Sequence, residues 1–501
     1  TQRPEWNDAN NALVGNGLSM VTLYYMHRFQ VFMSEIINDI KKDTIELSVE
    51  VLQMFRDTAK VLKDSEHFLD NKMSDEIRFE IVKSLGKIGE RYRNSIYNHG
   101  FSGDKGRLTI ESLQDFIDLS MRHLNDSIKK NKRKDGLYHS YNLIRFDEKK
   151  CSISYLYEML EGQVSVLSSK ALDAEEAIRV LDALKNSSIY REDQNSYMLY
   201  PNRELPKFLM KNVIPDEQVM SSSILKEEVN KNRTRFIEKD VHGKYHFNGR
   251  FRNGEEIREA LKGTKEYKDE DIKIVEEIFT ELFNHHAFTG RSGTFYKYEG
   301  LGSIYWHMVS KLLLATQENI NDIYKQKGMN EEAKTLMNAY ETIKEGIGLE
   351  KSPEQYGAFP TEAYSHTPGF AGAQQPGMTG QVKEDFISRF GELGVNVEDG
   401  LIRFNPKLLA KSEFLKEMKN WSLPRNSNET NEEIIRLDKN SLGFTFCSVP
   451  VIYYLNDKKK IIVSYKDGRE NIFEDADTLD LATSQRIFNR EGKMSKIEVY
   501  I

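Results

Sequence analysis

The sequence predicts a mainly α-helical protein that ends in a small β-rich domain. Two patterns carry this. Apolar residues recur at spacings of three and four along most of the chain, and after about Gly394 the period shifts toward alternation with turn dipeptides. A balance of 39% hydrophobic and 30% charged residues is that of an ordinary globular protein.

Taken in order, the elements read as follows. Leu18 to about His99 is largely helical, with Met20, Leu23, Tyr24, His27 and Val31 on one face. Further helical runs are Leu47–Lys63, Asp75–His99, Thr109–Asn131, Asp173–Lys185, Gly254–Leu261, Asp271–Asn284, Ile304–Lys327 and Asn330–Gly346. Gly17, Gly100 and Gly328 fall where helices should start or stop. Long helices with short breaks suggest antiparallel hairpins. Two stretches interrupt them. Residues 187–251, rich in Tyr, Pro, Asn and Arg, read as an insertion rather than a linker. Residues 351–380 hold four Pro and five Gly and read as a long functional loop. Residues 1–394 then form the helical domain and 395–501 the β-rich one. In the latter, "NDKK" and Asp467-Gly468 are turn signals, and Pro450 belongs at a sheet edge or a bulge.

Several functions are excluded or disfavoured. A net charge of -7 offers no bulk attraction for nucleic acid. No run of eighteen apolar residues suits a membrane span. Two cysteines, Cys151 and Cys447, make no disulfide framework and fit a reducing, cytoplasmic setting. There is no signal-peptide pattern and no initiator Met, so the chain is expected to begin mid-protein. His285-His286 lacks a third ligand at a plausible spacing, so no metal site is expected. The basic run Lys129–Lys134 reads as a solvated loop.

Three stretches can carry chemistry. In "PEWNDANNALVGNG", Asp8 sits among Trp6, Asn7, Asn10 and Asn11. Amides and an indole suit sugar hydroxyls and C–H faces, and a carboxyl beside an indole tends toward a raised pKa, as a general acid needs. The plainer alternative is a turn or capping acid before the helix at Leu18. In "FTGRSGTFYKYEGLGSIYWHMV", glycine turns deliver Arg291, Ser292, Tyr296, Lys297, Tyr298 and Glu299 ahead of a helix, an arrangement that favours an anion such as phosphate. A capping turn with solvated charges is the alternative. In "YGAFPTEAYSHTPGFAGAQQPGMTGQ", Glu362, Tyr364, His366, Gln374 and Gln375 lead to Thr379 and Gln381 at a further helix start. Alone, His366 is more commonly a satisfied loop histidine.

Together these stretches resemble a family. "EWNDANNALVGNGLSMVTLYY" resembles the Trp-Asn-Asp segment of the inverting glycoside phosphorylases typified by cellobiose and chitobiose phosphorylases. "GTFYKYEGLGSIYWHM" is similar to their Gly-Ile-Phe-Ser-His segment. "PGMTGQVKEDFISRFGELGVNVEDGLIRFNP" is similar to their Trp-Leu-Ser/Thr-Gly-Thr-Ala segment. All three occur in the family's order, and the larger 1,2-β-oligoglucan enzymes look like the nearer relatives. The resemblance implies an (α/α)6 toroid, incomplete in this chain, followed by the β domain. The family's chains also run well upstream of Trp-Asn-Asp, which implies either that the missing N-terminal half exists as other residues of the same protein or that this chain is not a self-sufficient enzyme.

The resemblance also implies an enzyme: a phosphorylase that transfers a glycosyl group from β-linked gluco-oligosaccharides to phosphate, reversibly and with inversion. Asp8 maps onto the general acid. Inorganic phosphate is the co-substrate and nucleophile, with no other cofactor, and Arg291, Lys297, Thr379 and Gln381 are its expected contacts. Lys297 and Gln381 replace the family's His and Thr. Trp6, Asn7, Tyr296, Glu299, Glu362, Tyr364 and His366 are the expected sugar contacts. An inverting hydrolase with Glu299 or Glu362 as base, and an inactive glycan-binding protein, are the alternatives. Partners are the oligosaccharide and phosphate, with a homodimer as an assembly to test.

Overall fold

The computed structural model describes residues 17–71, 73–201, 212–283, 304, 306–347, 382–423, 434–456 and 458–501. The chain divides into two compact units: Thr1–Leu18 with Asn202–Gly302, and Ser19–Pro201 with Ser303–Ile501. The described residues are mainly α-helical, with small sheets.

The larger unit opens with α1, Met20–Asn38, whose first turn is capped by the Ser19 hydroxyl accepting from the Thr22 amide. The expected helical run to His99 is broken at β1, Thr44–Ser48, which pairs antiparallel with β2, Lys105–Thr109, placing Ile45 opposite Leu108. A five-residue strand gives too few alternations to stand out beside long amphipathic helices. Helix α2 spans Val49–Ser65. Helix α3, Asp75–His99, has the expected bounds because both ends are locally signalled. Ser74 caps its start, and Gly100 closes it at φ 71°, where a side chain would be strained. Helix α4, Ile110–Lys130, starts at the Thr109 cap.

The basic run closes α4 and leads into the turn beyond it; Lys129, Lys130, Lys132 and Lys134 are solvent-exposed as expected, while two of its residues are tied into the fold. Asn131 is buried, Lys132 pairs with Glu176 at 2.5 Å, and Arg133 bridges Asp135 and Glu158 at 2.7 and 3.1 Å. A hairpin follows, β3 Tyr141–Asp147 with β4 Lys150–Tyr155. Helix α5, Leu160–Leu167, is buried on nearly every side, so its sequence carries no amphipathic period. Helix α6, Ala174–Lys185, is capped by Asp173.

The smaller unit, described over 212–283, holds two short helices, α7 Asp216–Ser221 and α8 Ser223–Asn230. A hairpin of β5 Ile237–Lys239 with β6 Tyr245–Phe247 follows, then α9 Gly254–Thr264 and α10 Asp269–Phe283. Its own core includes Ile224, Phe236, Phe247, Ile257 and Phe279. Buried Glu228 bonds Arg235 at 2.7 Å, and Arg235 also reaches Glu266 at 2.9 Å.

The larger unit resumes with α11 Trp306–Lys327, α12 Glu331–Glu345 and α13 Val382–Glu392. Helix α11 packs on α5, α12 and α13, and the helical core gathers Tyr24, Leu160, Val164, Val309, Leu312 and Leu336. A β part completes this unit. It has a hairpin of β7 Val395–Glu398 and β8 Leu401–Phe404, and a second pair of β9 Lys419–Ser422 and β10 Ile434–Leu437. The main sheet has five strands: β11 Ser441–Phe446, β12 Val449–Tyr454, β13 Lys460–Tyr465, β14 Glu470–Glu474 and β15 Met494–Tyr500. Helix α14, Leu481–Phe488, precedes β15. Ile402, Phe404, Val451, Val463 and Ile497 form the core of this part.

Sheet order is β11-β12-β15-β13-β14. β15 therefore lies between β12 and β13, parallel to the first and antiparallel to the second, with Ile497 opposite both Val451 and Val463. The stretch holding "NDKK" thus spans two strands that are not neighbours. Asp467-Gly468 does turn β13 into β14, with Gly468 at φ 84°. Pro450 sits in an interior strand, not at an edge. It faces Thr445, one pair beyond the two-residue turn at Cys447-Ser448, and precedes the first β15 pairing at Val451, so no ladder needs its missing N–H.

Candidate functional site

Four helix starts of the larger unit converge through described contacts. At α1, the Met20 amide donates to the Ser140 carbonyl at 2.9 Å. The Ser140 hydroxyl donates to the Met159 carbonyl at 3.2 Å, just before α5. A Cβ at Gly162 would come within 2.4 Å of that hydroxyl and 3.0 Å of the Tyr138 carbonyl, so only glycine permits this approach. The Leu160 amide donates to the Leu199 carbonyl at 2.8 Å, and neighbouring Met198 bridges Ile304, just ahead of α11. At the starts of α11 and α13, His307 Nε2 lies 3.5 Å from Glu384 Oε1.

Polar and aromatic side chains accompany these starts. Tyr141, itself buried, donates its hydroxyl to Glu161 at 2.8 Å in the first turn of α5. Tyr157 and Tyr200 meet edge-on at 6.4 Å. One turn into α1, burial pushes the Tyr25 phenol up; Arg28 opposes this, while Glu318 and Glu161 add to it. Arg28 makes two bonds to Glu318, at 2.6 and 2.8 Å. Such a set of phenols, carboxylates and an imidazole suits a hydroxyl-rich ligand, and helix starts suit an oxyanion.

A buried polar seam leads from here along α11, α12 and α13. Gln317 donates to the Ser388 carbonyl at 2.8 Å. Tyr340 donates to Glu392 at 2.8 Å, and Glu392 faces Lys344 at 2.8 Å and Arg389 at 2.7 Å. Burial pushes the Glu392 carboxyl up, but the bonds from Lys344 and Arg389 outweigh it and hold the group below the usual carboxylate range.

The sequence-predicted residues Trp6, Asn7, Asp8, Arg291, Tyr296, Lys297, Glu299, Glu362, Tyr364, His366, Thr379 and Gln381 lie outside the described residues, as do His285 and His286. In sequence, residues 1–16 precede β-strand residues 17–19 and α1, 284–303 precede α11, and 348–381 precede α13. Glu161, His307 and Glu384 had no assigned role in the sequence reading. For His307 and Glu384 the trace was their place within or beside the motifs, since "WHM" closes the second and "VKED" follows the third; Glu161 lies in none of them and had no such signal.

Among the described residues, cavities lie elsewhere in the larger unit. One of about 720 Å³ in the β part is lined by Phe404, Asn405, Phe414, Asn456, Lys459 and Tyr500, among others. Another of about 210 Å³, between α6 and α12, is lined by Ile178, Leu181, Leu336 and Ile343, among others. Neither includes the helix-start residues. Among the described residues, no group of three His, Cys, Asp or Glu is placed to hold a metal ion. No described helix is long and apolar enough to cross a membrane.

Residues 205–286, which overlap the smaller unit, match the family model described as GH149 phosphorylase insertion domain 2. The match supports a glycoside phosphorylase family, GH149. It covers a minority of the chain and falls on a segment separate in sequence from the three motifs that carry the resemblance to phosphorylases. No curated protein matches the chain.

Proposed function

We propose that the protein catalyses reversible, inverting phosphorolysis of β-linked gluco-oligosaccharides, yielding a sugar 1-phosphate. The match of residues 205–286 to a phosphorylase insertion domain carries this reading. The order of the three motifs supports it independently.

In this reading Asp8 is the general acid. Its carboxyl proton passes to the glycosidic oxygen as the bond to the anomeric carbon breaks. A phosphate oxygen attacks that carbon from the opposite face through an oxocarbenium-like transition state, which inverts the centre. Arg291, Lys297, Thr379 and Gln381 hold the phosphate. Arginine offers a bidentate fork, lysine a point charge, and the threonine hydroxyl and glutamine amide neutral donors. Trp6, Asn7, Tyr296, Glu299, Glu362, Tyr364 and His366 contact the sugar. Because phosphate is the nucleophile, no second catalytic carboxylate is needed, and the reaction calls for no further cofactor.

The test is incubation of the full-length protein with assorted β-gluco-oligosaccharides, with and without phosphate. Sugar 1-phosphate formed only with phosphate is expected. In Asp8→Asn, kcat should fall by roughly 10³-fold or more, with the fold intact. Free sugar released equally well without phosphate would point instead to hydrolysis with Glu299 or Glu362 as base.

A further inference from the structure

The strand order leaves a cavity at one end of the main sheet. Because β15 lies between β12 and β13, the chain joining those two strands passes over the end of β15. Asn456 and Lys459 belong to that joining stretch, and the Asn456 amide donates to the Ile501 carbonyl at 2.9 Å, just past β15. Backbone bonds fix the neighbouring walls. The Phe404 amide donates to the Asp477 carbonyl at 2.7 Å, and the Asp475 amide to the Lys459 carbonyl at 3.0 Å. The enclosed space is about 720 Å³, within the roughly 300–1,000 Å³ of small-ligand sites. Walls already held in place lower the ordering cost of binding.

The lining joins an apolar wall to polar donors. Phe404, Phe414 and Val499 are buried and supply the wall. The Asn405 side-chain amide and the Lys411 and Lys459 ammonium groups have no hydrogen bond or ion pair among the described residues. Asn456 accepts from the Lys458 amide at 3.1 Å through its oxygen, which leaves its side-chain N–H donors for a ligand. Asp477 is the one acidic side chain of the described lining, and it is engaged: it accepts from the Thr478 hydroxyl at 2.7 Å and lies 3.5 Å from Arg403. Two uncompensated cations and spare amide donors favour an anion, and the apolar wall suits the C–H face of a ring.

We propose that this cavity is a second, non-catalytic site that binds a phosphorylated sugar. Lys411 and Lys459 take the phosphate, Asn405 and Asn456 the hydroxyls, and the apolar wall the ring. The lining includes none of the residues assigned to catalysis. The choice of a sugar phosphate among anionic ligands rests on the phosphorolysis reading, which makes such a molecule the product.

The experiment follows hydrogen exchange of the full-length protein by mass spectrometry, with glucose 1-phosphate, glucose, inorganic phosphate or a neutral β-gluco-oligosaccharide added. Glucose 1-phosphate should slow exchange in residues 404–411 and 455–460. Glucose and phosphate, each alone, should need at least about ten-fold higher concentrations for the same effect. Lys411→Ala with Lys459→Ala should weaken the effect of glucose 1-phosphate about ten-fold or more. The unfolding temperature of that variant without ligand should stay that of the wild type, since both lysines are exposed. Absence of slowing in those two segments overturns the proposal, whatever happens elsewhere in the chain. So does equal slowing by the neutral oligosaccharide, or a lysine variant that responds like the wild type. Turnover that ignores phosphate overturns the phosphorolysis reading instead, and the exchange at residues 404–411 and 455–460 decides the cavity separately.

Discussion

Gln317 fills the space that a side chain at Gly391 would need: a Cβ there would lie 2.0 Å from Gln317 Oε1. The same amide is held by the Ser388 carbonyl at 2.8 Å and the Tyr340 hydroxyl at 3.3 Å, so it is not free to swing aside. Gly391→Ala should therefore cost about 1–3 kcal/mol through overpacking and loss of those bonds. Chemical denaturation reads this directly, and a second change, Gln317→Ala, should recover part of the loss. Equal stability of Gly391→Ala and wild type would contradict the close approach.

Gly394 makes a harsher comparison three residues on. Its φ is +68°, and a Cβ would come 2.0 Å from the Asn405 carbonyl carbon, which is backbone and does not rotate away. Gly394→Ala should destabilise more than Gly391→Ala in the same denaturation series.

The Glu392 cluster predicts a pH dependence. Its carboxyl is held below the ordinary range in the fold by Lys344 and Arg389. A depressed acid contributes stability above its unfolded pKa and loses it as pH falls through the folded value. Glu392→Gln should thus cost more at pH 7 than at acid pH, by on the order of 1–3 kcal/mol at pH 7. A loss that does not vary with pH would mean that the charge is not what matters.

His139 acts in the same direction, over a higher pH window. Its ring stacks on Tyr155 at 4.5 Å, and burial, with Arg133 adding, lowers its pKa to about 4. The unfolded chain takes up a proton below about pH 6.5 while the fold resists until about 4, so stability drops across that window. His139→Gln should flatten this drop by on the order of 1–2 kcal/mol, discounted for partial exposure. Denaturation midpoints at pH 7 and 4.5 give the comparison.

Lys407 lies over the Tyr324 ring, 3.0 Å from its centroid. Burial, with Lys325 and Arg403 adding, lowers its pKa to about 8. At pH 8 about half of this amine is neutral, against well under 1% for an ordinary lysine. Brief treatment with an acylating reagent at pH 8 should label Lys407 before other, equally accessible lysines, and mass spectrometry would locate it. Labelling at the pace of the other lysines would refute the shift.

Much of the helical architecture was legible. The bounds of α3 follow from Ser74, Gly100 and the apolar period between them, all local signals. The α5 helix was not, because burial on nearly every side erases periodicity. The place of β15 was not either, since a strand some thirty residues downstream enters between β12 and β13. At the site, motif order singled out three stretches, but Glu161, His307 and Glu384 matter through partners that no spacing rule names.

The sequence by itself determined where the amphipathic, locally capped helices such as α3 begin and end, that Asp467-Gly468 turns, and which stretches hold groups of the kind suited to a sugar and a phosphate. Those properties depend on neighbours within a turn or two. Tertiary structure alone decided that the starts of α1, α5, α11 and α13 meet, and that Glu384 faces His307 across seventy-seven residues of chain. Contacts at that separation arise from packing, in which each partner is chosen by shape and polarity and not by its distance along the chain.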